Sequence, residues 1–310
     1  MNKTPIPPLH DVDIKHLKVF KAVVECGGLS AAEEITGLGI SALSKQLSEL
    51  ETRLGTPLCK RGRGGFVLTP EGEVTYRATL RLLDSIDEFR ESVAAAKGTV
   101  NGQLSVWLVD HLIWPVADPV VAAFRAFCAD YPAVLLSINV AGPNAVERAL
   151  AERKAILGLT ISKSDLPELE YQVVGVEHAS MYCARGHPAY GKNEADLRVL
   201  LADSPPCIRR GYLVHDALPE VLRSTSAPIA YHVEATVLLL LTGAYVGMVP
   251  DQIAQAWVDS RELYRLPLEE FHTERPLFLV RRKGQSSERA AALLSRAIVN
   301  AFQQSRERAS

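Results

Sequence analysis

Disulfide-forming patterns are the first thing this chain lacks. Its five cysteines (Cys26, Cys59, Cys128, Cys183 and Cys207) are odd in number, scattered and free of any C-x-x-C. That argues against a disulfide framework and a zinc site and for a reducing compartment, the cytoplasm. Buried inert thiols are the expected state, with a redox pair of Cys183 and Cys207 as the alternative. Long apolar runs are missing too. The most apolar stretch, residues 237–250, is broken by Gly243 and Pro250, and nothing approaches the ~18 residues of a membrane span. The opening "MNKTPIPPLHD" has no apolar core or cleavage site of a signal peptide. There is no G-x-S-x-G, H-E-x-x-H, P-loop or dinucleotide fingerprint after a strand. The G-x-G in "GLGIS" (37–41) lies between two helices and fits a turn. The eight histidines show no metal-ligand spacing. No catalytic residue, metal or cofactor is therefore assigned. An α/β enzyme with an appended DNA-binding module is the minority alternative.

What is present fits a soluble chain of several domains: 310 residues, 47% hydrophobic and 23% charged, net charge −2. Residues 13–97 read as helix apart from one hairpin. Ile14, Leu17, Phe20 and Val24 stripe a first helix that Gly27-Gly28 ends. Ser30 and Glu33 stand in capping-box register for a second, with Ala31, Ala32 and Ile35 expected to face inward. "TGLG" is a tight turn. Then "ISALSKQLSELETRLG" (40–55) carries two stripes. Ile40, Leu43, Leu47, Leu50 and Leu54 are spaced as one apolar helical face. Ser41, Ser44, Lys45 and Ser48 form a second face, roughly 140° away at ~100° per residue. After Gly55, Lys60-Arg61 lead into Gly62–Gly65, and Phe66-Val67-Leu68 returns as a strand, giving a two-stranded wing. Thr69 caps a long helix with Pro70 at its first position. Thr75, Thr79, Leu82, Ile86, Phe89 and Val93 give that helix a seam suited to self-association.

Helix, tight turn, helix and basic wing is the layout of a winged helix-turn-helix. Between Ser41 and Gly65 five bases (Lys45, Arg53, Lys60, Arg61 and Arg63) face two acids, Glu49 and Glu51. A basic island in a near-neutral chain fits local contact with a polyanion. Serines let a helix approach base edges and phosphates closely, and Lys45 can reach either. A face made only for solubility usually carries more Glu and Lys. The DNA-contact set expected from these residues is Ser30, Ser41, Ser44, Lys45, Ser48, Arg53, Lys60, Arg61 and Arg63.

Beyond "KGTVNGQ" (97–103), a hinge, the texture changes. "LSVWLV", "VLLSINV", "AILGLTI", "SMYCA" and "LFLVRR" read as strands. Helical patterns at 116–129, 144–153, 215–223, 234–242 and 286–304 lie between them, which implies parallel sheets. Ligands of open α/β folds sit outside the carboxyl ends of strands. The candidates are Asp110, His111 and Leu112 after the first strand and Gly142, Pro143 and Asn144 after the second. Ile208, Arg209 with its neighbour Arg210, Glu234, Val249 and Pro250 lie across the cleft. Arg209 could anchor a carboxylate. His111 reads as a structural histidine more readily than as a ligand. A DNA-binding architectural protein with no effector would not need this α/β half.

The segment "LKVFKAVVECGGLSAAEEITGLGISALSKQLSELETRLGTPLCKRGRGGFVLTPEG" resembles the N-terminal domain of the LysR-type transcriptional regulators. Leu17/Phe20, Ser30-Ala31-Ala32, Ser44 with Gln46, Leu50-Glu51, Leu54-Gly55, Leu58, Arg61 and "LTPEG" carry the match. "ARGHPAY" (184–190) and "TGAYVGMVPDQIA" (242–254) resemble segments of the family's regulatory half more loosely. Gly39, Thr36 and Ile156 depart from its usual residues. The resemblance implies a winged helix-turn-helix over 12–69, a linker and dimerisation helix over 70–97 and a hinge over 98–103. It implies a periplasmic-binding-protein-like α/β effector domain over 104–305, with subdomain I at about 104–176 and 276–305 and subdomain II at about 177–275. It also implies a small-molecule effector in the cleft between them. The partners implied are double-stranded DNA at a dyad-symmetric promoter site, RNA polymerase, and further copies of the chain as a homodimer and homotetramer. A redox-sensing regulator of the same architecture is the alternative.

Overall fold

The computed structural model describes residues 8–62, 65–96, 100–112, 119–202, 206–211, 227–283 and 289–309. The chain divides into two compact units, residues 1–90 and 91–310. The first holds α1 (Asp11–Glu25), α2 (Leu29–Thr36), α3 (Ile40–Leu54), β1 (Cys59–Gly62), β2 (Gly65–Leu68) and α4 (Pro70–Ala96), which runs past residue 90. The His10 N–H donates to the Asp13 carboxylate (2.8 Å), so an acidic first turn starts α1 where the helix dipole favours negative charge. Gly55 takes φ +70° after α3 and stops it.

Two expectations for the second helix fail. The helix starts two residues early, with Gly28 as its N-cap, so Ser30 caps nothing. Glu33 instead accepts the N–H of Ile40 (3.2 Å), tying α2 to the first turn of α3. Only Ala32 of α2 is buried, while Ala31 and Ile35 are exposed. An eight-residue helix presents one narrow face to its neighbours, and Ala32 alone occupies it. Ile40 likewise faces solvent, whereas Leu43, Leu47 and Leu50 are fully buried with Leu17, Phe20, Val23 and Leu58.

Thr69 caps α4 as expected: its hydroxyl accepts the Gly72 N–H (2.9 Å) and donates to the Pro57 carbonyl (2.8 Å). Gly72 is required by packing. A Cβ there would stand 1.9 Å from the Leu58 carbonyl oxygen. Tyr76, one turn on, meets Phe20 edge-on with centroids 6.4 Å apart. Farther along α4, Phe89 and Val93 of the expected seam are exposed.

The second unit contains β3 (Gly102–Val109), α5 (Pro119–Asp130), β4 (Val134–Ala141), α6 (Pro143–Ala151), β5 (Leu157–Thr160) and β6 (Leu169–Ala184). Then come α7 (Glu194–Ala202), β7 (Arg209–Arg210), β8 (Ile229–Ala230), α8 (Val233–Leu241), β9 (Val246–Pro250) and α9 (Asp251–Asp259). It closes with β10 (Leu263–Arg265), β11 (Thr273–Arg282) and α10 (Arg289–Ala309). Seven strands form one sheet in the order β10-β6-β11-β5-β3-β4, with β9 also paired to β6. It is mixed, not parallel. β3 runs parallel to β4 and β5, but β6 and β11 pair antiparallel with each other and with their other neighbours. The long strands β6 and β11, antiparallel to each other, produce this, and their first halves carry too mixed a pattern to read as strand. The 215–223 helix expected from sequence, residues 97–99 of the expected hinge and Arg63 lie outside the described residues.

β6 and β11 span two packing centres. At one end Leu169, Val174, Leu277 and Leu279 join β3, β5 and the helices α5, α6 and α10. At the other, Met181, Tyr182, Cys183, Ala184 and Phe271 join α7, α8, α9 and β9. Residues 175–178 and 273–276 lie between them and belong to none of these clusters. Cys183 and Cys207 both pair with Val246, from opposite sides. That sets them two strand spacings apart, roughly 10 Å, beyond the ~7 Å reach of a disulfide. Burial also pushes the Cys183 thiol up to about 12. A direct redox pair therefore has neither the reach nor the thiolate. Among the described residues no helix is long and apolar enough to cross a membrane.

Candidate nucleic-acid interface and effector cleft

The exposed side of α3 carries Ser41, Lys45 and Ser48, with Ser44 half-buried beside them. Lys45 extends along the helix within 3.9 Å of Glu49. Lys60 on β1 and Ser30 on α2 are also exposed. Two members of the expected contact set are already engaged within the fold. Arg53 pairs with the buried Asp13 (2.6 Å) and donates to the Pro8 carbonyl (2.8 Å), which ties α3 to α1 and the chain before it. Burial alone would raise the Asp13 carboxyl, but the His10 N–H and the Arg53 guanidinium outweigh it and hold it low.

Arg61 is the second. It pairs with Glu51 and donates to the Ser44 hydroxyl (3.2 Å), so it fastens the wing to α3. Glu51 also accepts the backbone N–H groups of Leu58 (2.8 Å) and Cys59 (3.3 Å). A count of bases against acids missed this, because it treats the acids of the island as diluting charge when Glu51 is the wing's anchor. The i, i+10 spacing from Glu51 to Arg61 was the available signal.

In the second unit, Asp110, His111 and Leu112 follow β3 and are buried. The Asp110 carboxylate accepts the N–H of Val233 at the start of α8 (3.1 Å) and lies 3.4 Å from the His232 ring. His111 adopts φ +66°, an uncommon backbone for a side chain with a Cβ. Its ring bridges Glu177 on β6 and Asp110, the latter at 3.4 Å. The Gln252 amide of α9 donates to the His111 carbonyl (3.5 Å). Burial would lower the His111 imidazole, but the Asp110 and Glu177 carboxylates raise it to about 9. Its charge holds the Asp110 carboxyl below the usual range despite burial. At neutral pH this is an imidazolium between two carboxylates, and it joins the end of β3 and the middle of β6 to the first turns of α8 and α9.

The remaining candidates scatter. Gly142 is the N-cap of α6, Pro143 is buried, and Asn144 accepts the Ser162 hydroxyl (3.3 Å). Asp110 donates its N–H to the Ala141 carbonyl (3.1 Å), so this group stays near the cluster. Ile208 and Val249 point into a buried apolar cluster and offer a ligand nothing polar. Arg209 and Glu234 are exposed, Arg210 is buried, and Pro250 pairs with Ala179. Sequence reasoning missed Glu177, His232 and Gln252. A cavity of about 280 Å³ opens beside Glu177 and Gln252, lined also by Leu112, Gly175, Phe302 and Arg306.

Residues 14–73 match "Bacterial regulatory helix-turn-helix protein, lysR family", and residues 97–303 match "LysR substrate binding domain". The chain is similar to the HTH-type transcriptional activator BauR of Pseudomonas aeruginosa, 36% identical over 89% of this chain and 90% of that protein. The fold resembles that of CbnR in complex with its target DNA (TM-score 0.59, 20% identity, 94% of this chain and 99% of that one). It also resembles ArgP from Mycobacterium tuberculosis (TM-score 0.59, 20% identity, 93% and 96%). A helix with one buried and one open face beside its wing, an α/β unit with a buried ionic cluster, and matches over both halves lead to one conclusion: the chain belongs to the LysR family of transcriptional regulators, with a helix-turn-helix DNA-binding domain and an effector-binding domain.

Proposed function

We propose that Ser41, Ser44, Lys45 and Ser48 enter the major groove of a dyad-symmetric promoter site while Lys60 and Arg63 touch the phosphate backbone. The observation that carries this is the division of α3. Leu43, Leu47 and Leu50 are buried, and Ser41, Lys45 and Ser48 on the other side are open and short enough for close approach. Arg53 and Arg61 support the interface and leave the contacts to others. The test is operator binding by Ser41→Ala/Lys45→Ala, which spares the Arg61–Ser44 bond. Affinity should fall at least about tenfold, the cost of one lost good contact, with melting and self-association unchanged. Wild-type affinity in that variant would make this face a solvated surface.

The rest of the reading follows the family layout. α4 pairs with a second copy through the exposed Phe89 and Val93, two dimers assemble into a tetramer, and the assembly works in the cytoplasm in contact with RNA polymerase. An effector enters between subdomain I (104–176 and 276–305) and subdomain II (177–275), beside the Asp110–His111–Glu177 cluster. Closure or twist of these lobes passes through the hinge as a change in DNA bend or half-site spacing. Coupling of ~1–3 kcal/mol is enough to switch promoter occupancy. An effector that left both footprint and bend unchanged would refute the coupling.

A further inference from the structure

We propose that His178, His272 and Glu274 form a binding site for a divalent transition-metal ion, of the Zn²⁺ class, at the waist of the effector-binding unit. His178 on β6 and Glu274 on β11 are directly opposite in the antiparallel register, and His272, in extended backbone, lies two residues before Glu274 just ahead of β11. One ligand atom from each of the three residues lies within 4.8 Å of the others. His178 Nδ1 is 3.4 Å from the Glu274 carboxylate. The two imidazole rings stack 14° from parallel with centroids 5.7 Å apart. His178 and Glu274 are exposed, and it is their side-chain torsions that have to bring the atoms to the ~2 Å bond lengths of zinc.

His272 turns its Nδ1 toward Ser180, Asp251 and Arg265. Its Nδ1 lies 3.1 Å from the Ser180 hydroxyl and 3.8 Å from the Asp251 carboxylate. That leaves Nε2 as the nitrogen for the ion. The opposing charge is Arg265, whose Nη2 is 3.2 Å from the same Nδ1. Coordination at Nε2 places the proton on Nδ1. Ser180 Oγ then accepts it while keeping the bond from Arg265 Nε (2.9 Å), and Arg265 Nη2, a donor only, has to give up its contact with Nδ1. Two imidazoles and one carboxylate favour zinc, nickel or copper over magnesium or calcium. Three protein ligands leave a position open. The site bridges β6 and β11 where they pass between the two packing centres, so a bound ion clamps the two strands together.

The experiment uses untagged full-length protein, stripped with EDTA, dialysed and titrated with Zn²⁺ at pH 7.5 against a chromophoric chelator. One ion per chain is expected to compete with the chelator. His178→Ala and Glu274→Gln should each weaken binding at least about tenfold. The double variant His178→Ala/Glu274→Ala should lose that ion entirely. Far-UV circular dichroism should be unchanged throughout, because both positions are exposed. Failure of the wild-type protein to compete, or a double variant that binds with wild-type stoichiometry and affinity, overturns the proposal.

Discussion

His111 gives the sharpest test of the ionic cluster in the effector unit. Its imidazole rises from an ordinary 6.5 to about 9 because two carboxylates face it in a buried site. A raised histidine stabilises the fold fully below pH 6.5, and the contribution is lost as pH climbs through 9. A shift of this size corresponds to about 3 kcal/mol at 1.36 kcal/mol per unit. Of that, about 2 kcal/mol should disappear between pH 7 and pH 9.5. Starting at pH 7 also avoids His187, whose imidazole burial lowers and whose effect is complete below that range. Urea unfolding followed by tryptophan fluorescence isolates the correct unit, because Trp107, Trp114 and Trp257 all lie beyond residue 90. With a urea slope of ~2–3 kcal/mol/M the midpoint should fall by roughly 1 M. His111→Gln cannot carry the charge. It should be less stable than wild type at pH 7, because Asp110 and Glu177 then face each other without a cation. Its midpoint should fall less than that of the wild type from pH 7 to 9.5, and the fall that remains belongs to the buried Cys183 thiol, which ionises only in the unfolded chain. Equal slopes in the two proteins would mean that the imidazolium is not what holds β3, β6 and α8 together.

Three other outcomes follow from named contacts. Gly72→Ala drives a methyl to 1.9 Å from the Leu58 carbonyl oxygen, and backbone cannot yield as a side chain would. It should cost the first unit roughly 1–3 kcal/mol, read as a lowered melting temperature. Arg53→Met strips the cation from buried Asp13 and should cost roughly 2 kcal/mol. The salt dependence of operator binding should keep its slope; a slope reduced by about 0.9 would instead identify Arg53 as a phosphate contact. Phe89→Glu on the exposed seam of α4 should shift the sedimentation equilibrium toward monomer. An unchanged assembly state would remove that seam from the interface.

Much of the DNA-binding unit was legible because its signals are local. The 3-and-4 spacing of Leu43, Leu47 and Leu50, the αL stop at Gly55 and the Thr69-Pro70 cap each act within a few residues. All three appear in the structure where the spacing predicts them. Errors came where a local rule competes with a tertiary one. Ser30 and Glu33 match a capping box, yet Glu33 gains more by closing the first amide of α3 across a seven-residue gap. Ile35 and Ile40 keep helical spacing but sit beyond the edge of the buried face, where periodicity cannot say how wide that face is. In the second unit β3, β4 and β5 were readable as apolar runs. β6 was half missed because Glu170, Gln172 and Glu177 interrupt its buried Leu169 and Val174, so its first half carries no clean apolar pattern.

The waist of β6, Gly175 to His178, explains why the polar chemistry of the effector unit stayed hidden. Glu177 and His178 are neighbours in sequence and, on a strand, point to opposite faces. One enters the buried cluster with His111, 66 residues upstream. The other stands on the outside beside Glu274, paired by the register of β11. Neither partner can be found by scanning for spacing, since strand register sets both pairings. A strand that lacks apolar neighbours has room for charge on both faces, so two polar sites can share one short segment without disturbing either core. It follows that perturbations at this segment should separate. Substituting Glu177 should change the pH dependence set by His111 and leave metal uptake alone, and substituting His178 should do the reverse. If either change moved both readouts together, the waist would be responding as one flexible hinge, and the two-faced strand would be the wrong description of it.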